Sequence, residues 1–143
     1  MRRTRFVLSS DGGAPFTAKP KLPVDYLAGM IHVQKMVDLQ VRKLRRSELI
    51  ESAGEDCQVA YWGINSDLSR YVAEASKKGL RIEVLEVSDR ARMEMAGIST
   101  RLAALQTPQQ HRLVNWGYAA CDAALRCRDD DTAGGFPYQG GVG

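Results

Sequence analysis

The sequence predicts a helix-rich α/β chain, and three observations carry that prediction. Two long stretches, residues 25–52 and 107–126, repeat apolar residues at intervals of three and four, the period of a one-sided helix. Two short runs with aromatic and β-branched content, near 5–10 and 58–64, have the length of strands. Turn-formers separate these elements: Gly12-Gly13 before Pro15, then Gly54, Gly79 and Gly97. At 143 residues and 44% hydrophobic content, the chain has the size and composition of one ordinary globular domain.

Taken in order, Phe6 to Ser9 reads as a short apolar strand bounded by Gly12, Gly13 and Pro15. Lys19-Pro20-Lys21-Leu22-Pro23 follows as an extended connector, since the residue before a proline avoids helical backbone. A long helix begins at Asp25. Leu27, Met30, Val33 or Gln34, Val37, Val41 and Leu44 form its apolar stripe, with Lys35, Asp38, Arg42 and Arg45 off it. Asp38 and Arg42 are spaced for an i,i+4 ion pair worth ~0.2–0.5 kcal/mol. The helix should end near Ser52 to Gly54.

Gln58 to Ile64 reads as the second strand, on Val59, Tyr61 and Ile64. Ser66 is placed to cap a helix through Lys78, closed by Gly79 and with Lys77 and Lys78 near its negative end. Leu80 to Val87 alternates apolar and polar residues at first, which predicts a third, half-exposed strand. Ser88 or Asp89 starts a short helix to Ala96, ended by Gly97. Thr100 to Leu105 and Pro108 to Arg126 complete the helical part. In the last helix Thr107 is the predicted N-cap, Pro108 takes the first helical position and Gln110 completes a capping-box spacing. Leu113, Gly117, Ala120 or Cys121, and Ala124 share one face. Trp116 is expected to pack this helix onto the sheet, with Gly117 allowing close approach. From 129 to 143 the chain turns acidic and then Gly-rich without apolar period, and it reads as a disordered tail. Phe136 and Tyr138 are its one recognition-like feature.

Composition removes several function classes. Met1-Arg2-Arg3 is not followed by a signal-peptide core, and no apolar run approaches the ~20 residues a membrane helix needs. A cytoplasmic or peripheral-membrane location is the expectation. Cys57, Cys121 and Cys127 are odd in number and lack a metal-ligand spacing, and His32 and His111 each stand alone. No metal and no cofactor are expected. Tyr61, Trp62, Trp116 and Tyr118 are read as packing aromatics rather than ligand platforms.

Charge is uneven along the chain. The first fifty residues hold ten Lys and Arg against four Asp and Glu, a net of +6; the rest hold ten against thirteen, a net of −3. Arg42, Lys43, Arg45 and Arg46 form the densest cluster, on the long helix. Such a face is either a solvated surface with internal ion pairs or a site for anionic lipid head groups. Without interleaved stacking aromatics, no nucleic-acid partner is expected.

Four strings carry a resemblance to a known family. Arg112-Leu113-Val114-Asn115-Trp116-Gly117-Tyr118-Ala119-Ala120-Cys121-Asp122-Ala123-Ala124-Leu125-Arg126 resembles the closing helix of bacterial patatin-like phospholipases, "RLINWGYAxCDAALR". Tyr61-Trp62-Gly63-Ile64-Asn65-Ser66-Asp67-Leu68 is similar to that family's "YWGIxTDI". Gln40-Val41-Arg42-Lys43-Leu44-Arg45-Arg46-Ser47-Glu48-Leu49-Ile50 is similar to its "QVRSLRKRxLI". Arg5-Phe6-Val7-Leu8-Ser9-Ser10-Asp11-Gly12-Gly13-Ala14-Pro15-Phe16 is similar to its "RTVLVSDAGAPF". The matches run in the family's order from Arg5 to Arg126, with a divergent stretch from Lys77 to Ile98.

The resemblance implies the C-terminal portion of a patatin-like three-layer α/β/α domain over residues 1–128, followed by the tail at 129–143. It implies a lipid acyl hydrolase that cleaves esters with a Ser–Asp dyad, a role in lipid degradation, and lipid or acyl-ester substrate met through the parent domain. The family's nucleophile sits in a Gly-x-Ser-x-Gly elbow, and a Gly-rich loop supplies the oxyanion donors. No serine here, from Ser9 to Ser99, has glycine two positions before and two after it, and no such oxyanion loop is present. The chain alone is therefore expected to be inactive.

Asp11 is the one candidate for a catalytic residue, because it stands in an Asp-Gly-Gly turn after an apolar run, as the family's catalytic Asp does. Its flanks instead fit the family's second strand end. The family's catalytic turn continues like "TDGGVYDNLGLE", and nothing after Asp11 does so. Gly12 departs from the alanine of "SDAGAPF". We read Asp11 as a strand-end residue whose carboxylate accepts local backbone N–H groups. The other function class open to the sequence is a non-catalytic remnant or interaction module with a basic, anionic-lipid-binding helix.

Overall fold

A computed structural model describes residues 5–13, 25–54, 57–98, 104–128 and 134–143. Its elements are β1 (Arg5–Asp11), α1 (Tyr26–Glu51), β2 (Cys57–Gly63), α2 (Leu68–Lys77), α3 (Asp89–Ala96) and α4 (Thr107–Arg126). β1 and β2 pair in parallel as a two-stranded sheet, so the chain is a helix-rich α/β protein. By contacts it divides into two compact units: residues 1–7 with 15–59, and residues 8–14 with 60–143.

In the first unit α1 is the dominant element. Asp25 has extended backbone and its carboxylate accepts the Ala28 N–H at 3.2 Å, the bond that lets a helix start there. Ser52 ends it, its N–H returning to the carbonyls of Glu48 and Ile50. The helix buries none of its residues. Tyr26, Met30, Val33, Val37, Val41 and Leu44 stand exposed, while Ala28, His32, Leu39, Arg42 and Leu49 on the other side are half-buried. Arg42 pairs with Asp38, the i,i+4 partner that its spacing predicts.

In the second unit the core forms where α4 meets α2 and α3. Ala119, Ala120, Ala123 and Ala124 are all buried. Their small side chains let neighbouring elements come close to the α4 backbone. Ala119, Ala120 and Ala123 cluster with Leu68 of α2, Ala91 and Met95 of α3, Trp116 of α4 and Val142. Trp116 is 1% exposed, and its indole N–H donates to the Ile64 carbonyl at 2.8 Å, just past β2. The predicted packing of Trp116 thus has a specific anchor. Gly117 has no part in it, since a Cβ there would meet nothing within 4 Å.

Several local expectations need correction. Asp67, rather than Ser66, caps α2. Gln106 precedes α4, one residue ahead of the predicted cap, and its N–H donates to Gln109 Oε1 at 3.4 Å. Leu80 to Val87 forms no strand: among the described residues it has no ladder partner, and it packs through Ile82, Val84, Leu85 and Val87. Its alternation of sides is real and its sheet is not. Ala104 and Leu105 are not helical. The rest of the predicted helix from Thr100, the Lys19–Pro23 connector and residues 129–133 lie outside the described residues.

The largest correction concerns the tail. Residues 134–143 are not disordered but turn back onto α4. The buried Asn115 amide donates to the carbonyls of Tyr138 at 2.9 Å and Gly141 at 2.7 Å, and its oxygen accepts the Tyr138 N–H at 2.9 Å. Arg112 Nε donates to the Val142 carbonyl at 2.6 Å, and the rings of His111 and Tyr138 stack at 4.0 Å. Val142 is buried and Phe136 packs against the core. Gly140 and Gly141 have φ of 95° and 65°, the left-handed region that only glycine enters at little cost. The composition that suggests disorder is what allows this turn.

Asn115→Ala should cost about 2–3 kcal/mol in chemical denaturation, because it strands buried backbone groups of the 134–143 segment. Limited proteolysis should then cut near Tyr138, where the unaltered chain is expected to resist. Unchanged stability and unchanged cleavage would mean that the segment is not part of the fold.

Candidate functional site

Asp11 ends β1 with both carboxylate oxygens hydrogen-bonded. Oδ1 accepts the Gly13 N–H at 2.9 Å, and Oδ2 accepts the Tyr61 hydroxyl at 3.0 Å. Its backbone carbonyl accepts the Ile64 N–H at 2.9 Å. Gly63 makes this approach possible, since a Cβ on it would stand 3.0 Å from the Asp11 carbonyl oxygen. The turn after β2 continues the network. The Gly63 N–H donates to Ser66 Oγ at 2.8 Å, Ser66 Oγ and Tyr71 Oη lie 3.0 Å apart, and Tyr71 Oη donates to the Tyr61 carbonyl at 2.8 Å. Because the Tyr71 proton points at that carbonyl, the Ser66 hydroxyl donates to Tyr71.

These bonds show what holds the Asp11 carboxylate within this chain. A dyad acid must hold the nucleophile's hydroxyl, or lie within one water of it, to take its proton. Among the described residues the Asp11 carboxylate bonds a glycine N–H and a tyrosine hydroxyl rather than a serine. Ser66, the network's hydroxyl, spends its oxygen on Gly63 and its proton on Tyr71. The cluster joins the end of β1 to the turn after β2.

A serine and an aspartate do meet elsewhere. Ser69 Oγ donates to Asp67 Oδ1 at 2.7 Å, and the Ser69 N–H donates to the same oxygen at 3.0 Å. This is the cap of α2. The Ser69 hydroxyl bond, aided by the Ser69 N–H and the nearby Arg92 and Arg70 charges, holds the Asp67 carboxyl below the usual aspartate range. A lowered pKa suits a cap that must stay charged and weakens a general base.

The remaining candidates are dispersed. Burial pushes the Cys121 and Cys127 thiols above the ordinary cysteine value, away from the reactive thiolate, and Cys127 Sγ donates to the Ala124 carbonyl at 3.1 Å. His111 stacks on Tyr138, and His32 is half-buried on α1. Among the described residues no three His, Cys, Asp or Glu side chains group as metal ligands. Lys43, Arg45 and Arg46 are exposed on α1. Tyr61 and Trp62 are half-buried, Trp116 is buried and Tyr118 is exposed.

Two structural roles inside the α4 string escape a reading by period alone. Asn115 interrupts an apolar helix face, and that interruption is the signal of a buried hydrogen-bonding task. Asp122 and Arg126, four apart, form a two-bond ion pair at 2.7 and 3.0 Å with both side chains largely buried. Comparison with family models, curated proteins and solved structures finds no match to this chain.

Asp67 gives a pH-dependent test of the capping assignment. Its lowered folded pKa contributes stability that is present above the ordinary aspartate range and lost as pH falls through the folded value. Asp67→Asn keeps a capping oxygen but not the charge, so its deficit in melting temperature should appear at about pH 6 and shrink towards about pH 2. Asp67→Ala should cost about 1 kcal/mol at neutral pH. A deficit in Asp67→Asn that grows on acidification would contradict the assignment.

Proposed function

We propose that the chain is the C-terminal part of a patatin-like lipid acyl hydrolase, in which it supplies the back of a three-layer α/β/α domain and not the nucleophile. The observation that carries the reading is the set of four family-like strings in family order, from Arg5 to Arg126. Two structural features support it. The Tyr61–Leu68 and Arg112–Arg126 strings are physically joined through the Trp116–Ile64 bond. A parallel sheet is ordinarily covered on both faces, and here Phe6 and Leu8 of β1 are 49% and 55% exposed.

In this reading the substrate is a lipid or other acyl ester bound by the whole domain, in the cytoplasm or at a membrane surface. Among the described residues, no helix is long and apolar enough to cross a membrane. A serine on the preceding part of the domain displaces the lipid alcohol, which leaves with the serine's proton. Water then releases the fatty acid and restores the hydroxyl. Asp11 stands outside this chemistry and secures the β1 end. A second reading, a non-catalytic interaction module, is favoured by one observation: the sequence has no Gly-x-Ser-x-Gly elbow.

Genomic DNA immediately upstream of the Met1 codon separates the two. The hydrolase reading expects an in-frame Asp-Gly-Gly turn, preceded by a Gly-x-Ser-x-Gly elbow; an in-frame stop codon without them favours the module. The 143-residue chain itself should not hydrolyse p-nitrophenyl esters or take up a fluorophosphonate label. Stoichiometric labelling of any serine would overturn the account of the missing nucleophile.

In an enzyme rebuilt with its upstream part, Asp11→Asn should retain most activity, because Asn still offers an oxygen to Gly13 or Tyr61. Were Asp11 the dyad acid, loss of general-base help would cost at least about 10²-fold. Melting temperature measured alongside distinguishes lost chemistry from lost fold.

A further inference from the structure

We propose that α1 is an interfacial helix whose exposed apolar stripe lies on an anionic lipid bilayer. Tyr26, Met30, Val33, Val37, Val41 and Leu44 follow one another at steps of three and four, so they line one side of the helix over about 27 Å at ~1.5 Å per residue. All six are exposed, Tyr26 at 80% and Leu44 at 63%, and the shoulders add exposed Leu27 and Met36. The half-buried side of α1 is the opposite one, so the apolar side is the one left free for a partner.

Charge identifies that partner. Lys43 and Arg45 flank the stripe, and Lys35, Arg42 and Arg46 lie across the helix from it. From residue 35 to 46 there are five cations against one acid, Asp38, which pairs with Arg42. An apolar stripe backed by Lys and Arg on one long helix is the pattern of a helix lying in a membrane–water interface. Flanking cations reach the phosphates directly, while those across the helix remain within about a Debye length (~8–10 Å) of them. A second copy of the chain fits less well. Parallel pairing along the stripe would bring the two copies' flanking Lys43 and Arg45 together, and Gln40 and Ser47 interrupt the seam a coiled coil needs. The proposal stands on α1 alone and holds whether or not the chain belongs to an acyl hydrolase.

The test is co-sedimentation of the full chain with phosphatidylcholine vesicles containing about one-third phosphatidylserine, against vesicles of phosphatidylcholine alone. The expected result is binding to the anionic vesicles that falls with added salt, and little binding to the neutral ones. Lys43→Ala and Arg45→Ala should each weaken it about fivefold. Val37→Asp with Leu44→Asp should abolish it while circular dichroism stays unchanged, since both positions are exposed. No binding, equal binding to the two vesicle types, or full binding by the Val37→Asp/Leu44→Asp variant would overturn the proposal. So would a dimer in sedimentation equilibrium that this variant dissolves, because a second copy would then be the occupant of the stripe.

Discussion

The bond from the Trp116 indole to the Ile64 carbonyl governs the second unit. Tryptophan has one polar atom, and burying it without a partner costs more than the ring's packing easily offsets. Ile64 has just left β2, so its carbonyl is free of the ladder and able to accept. One side chain therefore fixes both the height of α4 along the strand end and its rotation about its own axis. That rotation sends Ala119, Ala120 and Ala123 into the core beside Leu68 and Met95, and turns Asn115 toward residues 134–143. The bidentate pair of Asp122 with Arg126 then closes the last turns of the helix, where an unpaired buried guanidinium would be costly.

What could be read beforehand follows from how local its cause is. Asp25 and Ser88 announce α1 and α3 because a capping carboxylate or hydroxyl acts within three residues. Gly79 and Gly97 mark their helix ends for an equally local reason. Leu80 to Val87 misleads because alternation reports which sides are buried, whereas a strand also needs a neighbour for its backbone. The tail misleads in the other direction. Its order comes from Asn115 and Arg112, more than twenty residues away, and no composition of residues 134–143 encodes that. In α1 the period gives the helix and, from Met30 to Leu44, its stripe, yet the stripe faces outward, because period alone cannot say which medium lies beside it.

The site illustrates the same limit at the level of chemistry. An Asp-Gly-Gly turn after an apolar strand suits a catalytic acid and a strand-end brace equally well, because both need an acceptor beside glycines. Within this chain the partners are those of a brace. Tyr61 reaches the Asp11 carboxylate from fifty residues away, and the Ser66–Tyr71 bond ties the turn after β2 to α2. The flanking residues favour the brace, and the hydrogen bonds to Gly13 and Tyr61 are compatible with it.

The two units also differ in how they satisfy apolar surface, and this bears on function. In the second unit the alanine face of α4 removes its own apolar side from water by close packing, at small cost in side-chain entropy. In the first, α1 holds six exposed apolar residues in line, each forgoing part of the 1.5–3 kcal/mol that full burial of such a side chain contributes. A helix of this length also needs contacts beyond its own hydrogen bonds to be firmly stable. The cations beside the stripe do not relieve that deficit in water, where their mutual repulsion adds to it. Against a negatively charged apolar surface both terms change sign together: the stripe gains burial and the cations gain counter-charge. That shared reversal is what makes a lipid interface a better physical complement to α1 than water.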